Sequence, residues 1–276
     1  MRNAVVYYFS GTGNTEFVAR LLVEELRASR VTVDSLPLDF VCDPVVEDYD
    51  TIFLGFPVHG FGVPVLVRDF IGRIPSGSSK NVAVFCTFGA YSAGAEKWAA
   101  QLLAARGLTP IALCGMAMPH NNPAGVNTAN QPIEKLVGRA RDSIRSLVER
   151  LTRAGSSSAG IDMCSPGRVL LSSWLNPLSI DRRLVDFAYA DLAYADGTCN
   201  RCGHCVTLCP TGSISISDGE VCFEAGRCAS CLRCFSNCPK LAIQTGPKTL
   251  GAPRYRGPRG DHKYPVNPAA VSGVLS

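Results

Sequence analysis

Cys199-x2-Cys202-x2-Cys205-x3-Cys209-Pro210 recurs 29 residues later as Cys228-x2-Cys231-x2-Cys234-x3-Cys238-Pro239. Thiolates at i, i+3 and i+6 let one short loop wrap a single face of a multi-iron cluster, and a proline after the fourth cysteine turns the chain away. A cubane [4Fe–4S] cluster takes four thiolates, so two matched sets of four supply two clusters. Zinc also favours C-x2-C pairs, but it closes on four ligands, often two pairs separated by a longer loop. That habit does not account for two sets that each end in Cys-Pro. Disulfides fit less well still, because nothing in the chain reads as secreted.

The repeat extends beyond the ligands. The same shift places Ser213-Ile214 over Ala242-Ile243, so each cysteine loop is followed by a short β-prone run, Ser213 to Ser217 and Leu241 to Thr245. One small unit of loop plus strand has been duplicated. Residues 191–246 resemble the bacterial ferredoxins with two clusters. That resemblance implies that the fourth thiolate of each cluster comes from the other motif. One [4Fe–4S] cluster is then held by Cys199, Cys202, Cys205 and Cys238, and the second by Cys228, Cys231, Cys234 and Cys209. A domain of this size has little apolar core, so the clusters themselves hold it together. Two one-electron centres held close together predict a conduit for electrons rather than a substrate pocket.

A chain of 276 residues has room for about two domains. With 46% hydrophobic and 18% charged residues it has the composition of a soluble globular protein. Arg2-Asn3 leads straight into Ala4–Phe9 without a leader region, and no apolar run reaches the length of a membrane span. Thirteen cysteines without a secretory signal read as metal ligands and buried thiols in a reducing cytoplasm. The formal charge of +4 belongs to the last thirty residues, where Lys248, Arg254, Arg256, Arg259 and Lys263 face only Asp261. The body is neutral, and each cubane with its thiolates adds about −2 when oxidised. The charge therefore gives no support to nucleic-acid binding.

The N-terminal part must position a different chemistry. Residues 4–9 are an apolar run suited to a buried parallel strand, ending in Ser10-Gly11-Thr12-Gly13-Asn14-Thr15. A helix follows with Phe17, Val18, Leu21, Leu22 and Leu26 on one face. Strand, hydroxyl-rich loop and helix form an anion site, with backbone N–H groups pointing inward and the helix dipole favouring negative charge. The loop has no lysine for a Walker-type triphosphate site, and no G-x-G-x-x-G pattern is present. Further strands are predicted over 31–35, 51–56, 81–87 and 111–117, with helices over 63–74, 93–106 and about 131–152. The expected fold class is α/β: a five-stranded doubly wound parallel sheet over residues 1–154, then a small α+β unit with the two clusters over 191–246.

Tyr8–Glu16 resembles the phosphate loop of a flavodoxin, and the strand count agrees. Such sheets bind FMN at the C-terminal strand edge beside the switch point. The resemblance implies hydroxyl donors to the ribityl phosphate from Ser10, Thr12 and Thr15, with backbone N–H groups from Gly11, Gly13 and Asn14. Two loops sit where the flavin ring would lie: Pro57-Val58-His59-Gly60-Phe61 after the third strand, and Thr87-Phe88-Gly89-Ala90-Tyr91 after the fourth. Glycines admit a flat ring closely and aromatics stack on it. His59 stands where relatives often carry Tyr or Trp, which leaves Phe61 and Tyr91 as candidate stacking partners. Met118-Pro119-His120-Asn121-Asn122 is a candidate rim of the same pocket. Together the two halves resemble flavodoxin–ferredoxin fusions of bacteria and archaea over residues 1–246.

Gly155–Gly160 breaks the composition, and Arg168 to Asp196 reads as an apolar segment of helical tendency, so 155–190 is expected to be linker and packing segment. Residues 247–276 are Pro/Gly-rich and basic and read as an extended, solvated tail, or as a dock for an acidic redox partner. Cys42, Cys86, Cys114, Cys164 and Cys222 stay outside the sites. The expected function is an electron-transfer flavoprotein linking two [4Fe–4S] clusters, FMN and a redox partner protein. The alternatives are an FMN-dependent reductase of a small organic molecule, with His59, Tyr91 or His120 as proton donor, and a redox sensor that docks through its tail.

Overall fold

The computed structural model describes residues 1–121, 131–153, 162–163 and 193–264. Its contacts divide the chain into two compact units, one built on the N-terminal sheet and one on the cysteine-rich region.

In the first unit, strands β1 (Asn3–Tyr8), β2 (Thr32–Pro37), β3 (Thr51–Pro57), β4 (Asn81–Phe88) and β5 (Thr109–Ala117) form a parallel sheet in the order β2-β1-β3-β4-β5. Helices α1 (Asn14–Ala28), α2 (Val65–Arg73), α3 (Ala95–Ala105) and α4 (Ile133–Arg153) connect them and close the layers. Because strand side chains alternate, each strand feeds both faces of the sheet. Ala4, Val6, Phe53, Ala83, Phe85, Ala112 and Cys114 pack with one face of α1 and with Ala140, Ile144, Leu147 and Val148 of α4. Those four α4 residues recur at helical spacing, which buries a single stripe of an otherwise polar helix. The intervening residues face the opposite layer: Tyr7 meets Phe70 of α2 at 5.0 Å, and the Cys86 thiol donates to the Glu96 carboxylate of α3 at 3.5 Å. Burial, followed by the negative field of Glu96, pushes the Cys86 thiol well above its ordinary range.

Five strands are expected from the sequence, and the sheet carries a sixth. Asp162–Met163 (β6) pairs parallel with Ala112 and Leu113 of β5. It comes from the segment read as linker. A two-residue run has no periodicity to betray it, yet it covers backbone groups that the β5 edge leaves unpaired. The apolar segment from 168 to 190 lies outside the described residues.

The second unit contains β7 (Tyr194–Ala195), α5 (His204–Leu208), β8 (Ile214–Ser217), β9 (Glu220–Phe223), α6 (Arg233–Asn237) and β10 (Ile243–Gln244). Strand β8 pairs antiparallel with β9, and β10 with β7. The duplication is visible in the backbone. Arg201, Gly203 and Gly212 have positive φ of 57°, 73° and 61°, and Ser230, Leu232 and Leu241, each 29 positions on, have 53°, 59° and 57°. Left-handed backbone at non-glycine residues is uncommon, so its recurrence at matching positions shows that the two copies share one loop shape.

Residues 247–264 differ from the solvated tail that composition suggests. Thr249 is fully buried and its hydroxyl donates to the Gly246 carbonyl at 2.8 Å. Arg254 donates to the carbonyls of Ile243 at 2.9 Å and Leu241 at 2.5 Å, while its guanidinium lies 3.6 Å from the centre of the Phe235 ring. Arg256 donates to the Ser236 carbonyl at 3.1 Å. The short helix, turn and strand of this unit leave carbonyls without backbone partners, and arginines satisfy them while their stems cover apolar surface. Residues 265–276 lie outside the described residues. No helix among the described residues is long and apolar enough to cross a membrane.

Candidate functional site

Three loops converge at the C-terminal edge of β1, β3 and β4. The first joins β1 to α1 and contains Ser10, Thr12 and Thr15, all buried. Gly13 turns it with φ of 99°, a conformation open to glycine, and Glu16 in the first turn of α1 pairs with Arg20 at 2.5 Å. The Thr15 and Thr87 hydroxyls are 2.8 Å apart, tying this loop to the one after β4. The Asn121 amide donates to the Thr12 hydroxyl oxygen, leaving the Thr12 hydrogen to serve an anion. Asn14 is expected to act through its backbone; its side chain also works, donating to the Pro119 carbonyl at 2.8 Å.

The two loops expected to flank a flat ring are neighbours. The Val58 N–H donates to the Thr87 carbonyl at 2.8 Å, and His59 and Gly62 exchange backbone hydrogen bonds around Gly60 and Phe61. The Phe61 and Tyr91 rings stack with centroids 5.2 Å apart and planes 14° from parallel. Both are exposed, at 40% and 44%, and Phe61 sits at a positive φ of 68°. A bulky aromatic held in left-handed backbone at a loop tip is a strained arrangement. His59 instead sets its ring edge-on to Phe9 at 6.2 Å. Of the three candidate aromatic positions, Phe61 and Tyr91 thus pack on one another and His59 packs on Phe9. His120 holds Gln131 through backbone hydrogen bonds, and burial lowers its imidazole below its usual pKa.

In the second unit the eight motif cysteines line two cavities. One, of about 450 Å³ including space open to solvent, is bordered by Cys209, Cys228, Cys231 and Cys234. The other, of about 300 Å³ on the same measure, is bordered by Cys199, Cys202, Cys205 and Cys238. Each cavity takes three cysteines from one copy of the repeat and the fourth from the other. Backbone donors repeat as well: the N–H groups of Arg201 and Ser230 each lie 3.4 Å from the sulfurs of Cys199 and Cys228. Those of Ser213 and Ala242 reach the sulfurs of Cys209 and Cys238 at 3.2 and 3.3 Å.

Burial pushes the Cys205 thiol up to about 11, and its three cavity partners add to the rise. Burial likewise takes Cys231 to about 12, with the Arg233 guanidinium pulling the other way. Cys209, which burial alone would raise, is held below its ordinary value by donors from Ser213 and Thr211. Four sulfurs in an apolar recess cannot all ionise without a cationic group among them. Thiolates around one zinc ion, at about 2.3 Å each, would stand about 3.8 Å apart. Among the described residues, no three Cys, His, Asp or Glu side chains are grouped for one metal ion. Each cavity presents four cysteine sulfurs with backbone N–H donors to two of them. The sequence missed Arg233, Thr211 and Ser213; the 29-residue shift would have exposed them as places where the two copies differ.

The family described as Flavodoxin domain matches residues 5–124. Among solved structures, the chain is similar to a flavodoxin from the domain Archaea at 17% identity, covering 54% of this chain and 97% of that one with a TM-score of 0.41. Megasphaera elsdenii flavodoxin shares 26% identity over 50% of this chain and 97% of its own, with a TM-score of 0.37. Rubredoxin oxygen:oxidoreductase from Desulfovibrio gigas shares 20% over 56% of this chain and 37% of its own, with a TM-score of 0.41. No curated protein matches the chain. The family match and the sheet order define the N-terminal domain as flavodoxin-like.

Proposed function

We propose that the protein is a cytoplasmic electron-transfer iron–sulfur flavoprotein carrying FMN in its N-terminal domain and two [4Fe–4S] clusters in a ferredoxin-like second domain. The observation that carries this reading is the crossed lining of the two cavities, three cysteines from one motif and the fourth from the other. When bound, FMN exchanges one or two electrons and each cluster one, so together they join two-electron to one-electron chemistry.

The protein's own part is to bind and to tune. Ser10, Thr12, Thr15 and the amides of Gly11, Gly13 and Asn14 seat the ribityl phosphate at the start of α1. The Pro57–Phe61 and Thr87–Tyr91 loops flank the ring. A ring covered by Phe61 or Tyr91 would suit a carrier serving a redox partner protein, and an open pocket would suit a small-molecule acceptor.

Anaerobic reconstitution followed by assay of iron, sulfide and flavin tests the reading. About eight iron, about eight sulfide and about one FMN per chain are expected. Protein that binds FMN yet takes up no iron sinks the cluster assignment. Rapid turnover of quinones or nitro compounds by the pre-reduced protein would favour the reductase instead.

A further inference from the structure

The two cysteine seats are related by the 29-residue repeat, so the places where they differ show what distinguishes them. Three of the differences concern the surroundings of the Cys209, Cys228, Cys231 and Cys234 sulfurs. Arg233 replaces His204 of the other copy, Ser213 replaces Ala242, and Thr211 replaces Lys240. Arg233 is 4% exposed, lines the cavity, and holds its guanidinium near the Leu208 carbonyl at 3.5 Å and over the Tyr264 ring at 4.5 Å. The Ser213 and Thr211 hydroxyls lie 3.3 and 3.5 Å from the Cys209 sulfur. Cys238, the matching ligand of the other seat, receives the Ala242 N–H, and no hydroxyl stands at that position.

Two effects oppose these. Burial disfavours the extra negative charge that reduction brings, and Cys231 of this seat is half-buried where its counterpart Cys202 is exposed. The other seat also has cations near it: Arg201 and Lys240 at its rim, and the half-buried Arg254, whose charge acts on Cys238 of that seat and on Cys234 of this one. Arg201 and Lys240 are exposed and screened by water, and Arg254 acts on both seats, which leaves Arg233 as the buried cation that lines one cavity alone. At equal distance a buried charge, at an effective dielectric of about 20, acts about fourfold more strongly than one in bulk water. Hydrogen bonds to cluster sulfurs raise a reduction potential further; the backbone donors repeat at both seats, and the Ser213 and Thr211 hydroxyls are added at this one.

We propose that Arg233, with the Ser213 and Thr211 hydroxyls, makes the Cys209/Cys228/Cys231/Cys234 seat the higher-potential one, which takes the first electron. The proposal rests on the cluster reading above. In that step a one-electron donor, reduced viologen in the test, loses one electron and the cluster at this seat gains it, with no bond or proton changed.

The test is a spectroscopically monitored reductive titration of the reconstituted full chain, with iron and sulfide counted beforehand. Two resolved waves are expected. Arg233→Gln should lower the higher wave alone, by tenfold or more in its reduction equilibrium. Ser213→Ala, which copies the other seat, should lower that same wave a few-fold. Arg233→Lys should largely keep it, and His204→Arg should raise the lower wave. Coincident waves in the unaltered protein, or movement of the lower wave or of both waves by Arg233→Gln or Ser213→Ala, would overturn the proposal. Should Arg233→Gln fail to take up iron, Ser213→Ala and His204→Arg decide by the same criteria. An unaltered chain that takes up no iron is a different failure, of the cluster reading itself.

Discussion

Cys209 and Cys238 each stand four positions beyond the third cysteine of their motifs, and their partners are what sequence spacing leaves unsettled. In the structure each borders the cavity of the opposite motif. A double variant reads this directly. Cys209→Ala with Cys228→Ala removes two ligands of one cluster if the sets are crossed, leaving about four iron per chain. If each motif closed on itself, the same pair would disable both clusters and leave almost none. Asp196 clamps the entry to the first motif, accepting from the Thr198 hydroxyl at 2.5 Å and the Gln244 amide at 2.8 Å. Those two donors, the hydroxyl first, hold its carboxyl below the usual range. A carboxyl depressed on folding stabilises above its unfolded pKa of about 4, and that stability is lost as pH falls through the folded value. Asp196→Asn should thus melt a few degrees below the unaltered protein at pH 7, with the gap closing below about pH 4; a gap constant with pH would count against the clamp.

At the scale of elements, the sheet tolerates no change where two strands touch most closely. A Cβ on Gly55 of β3 would lie 2.0 Å from the Phe85 ring of β4. Phe85 is fully buried among the residues of the α1 and α4 layer, so it has nowhere to retreat. Gly55→Ala should cost about 1–3 kcal/mol or more in denaturant unfolding of the N-terminal domain. Gly72, in α2, meets nothing within 4 Å, and Gly72→Ala should be neutral or stabilising by up to about 1 kcal/mol. Helices and strands of this domain were legible in the sequence because their apolar residues repeat at 3.6 and 2. β10 falls inside the β-prone run Leu241 to Thr245, whereas β6 and β7 were harder, since two residues carry no period and are defined by the partner they pair with.

For the whole molecule, the surprise lies in residues 247–264. Their proline, glycine and arginine content reads as a solvated tail, yet Thr249, Arg254 and Arg256 are built into the second unit. Removing residues 247–276 should lower the melting temperature of that unit and reduce the iron retained after anaerobic gel filtration, while removing 265–276 alone should leave both nearly unchanged. Equal behaviour of the two truncations would show the segment to be dispensable.

The sequence by itself determined the chemistry on offer. Two sets of four cysteines, a hydroxyl-rich loop between strand and helix, and a strand–helix alternation are local patterns, written in residues close together along the chain. Tertiary structure decided which groups meet. It brought Cys209 to the opposite motif, stacked Phe61 on Tyr91, buried Arg233 beside one cysteine set and folded Arg254 onto the carbonyls of Leu241 and Ile243. Each of these joins residues whose contact depends on burial and chain reversal. A spacing rule records neither, because the free energy of such contacts comes from the surroundings and not from the residues alone.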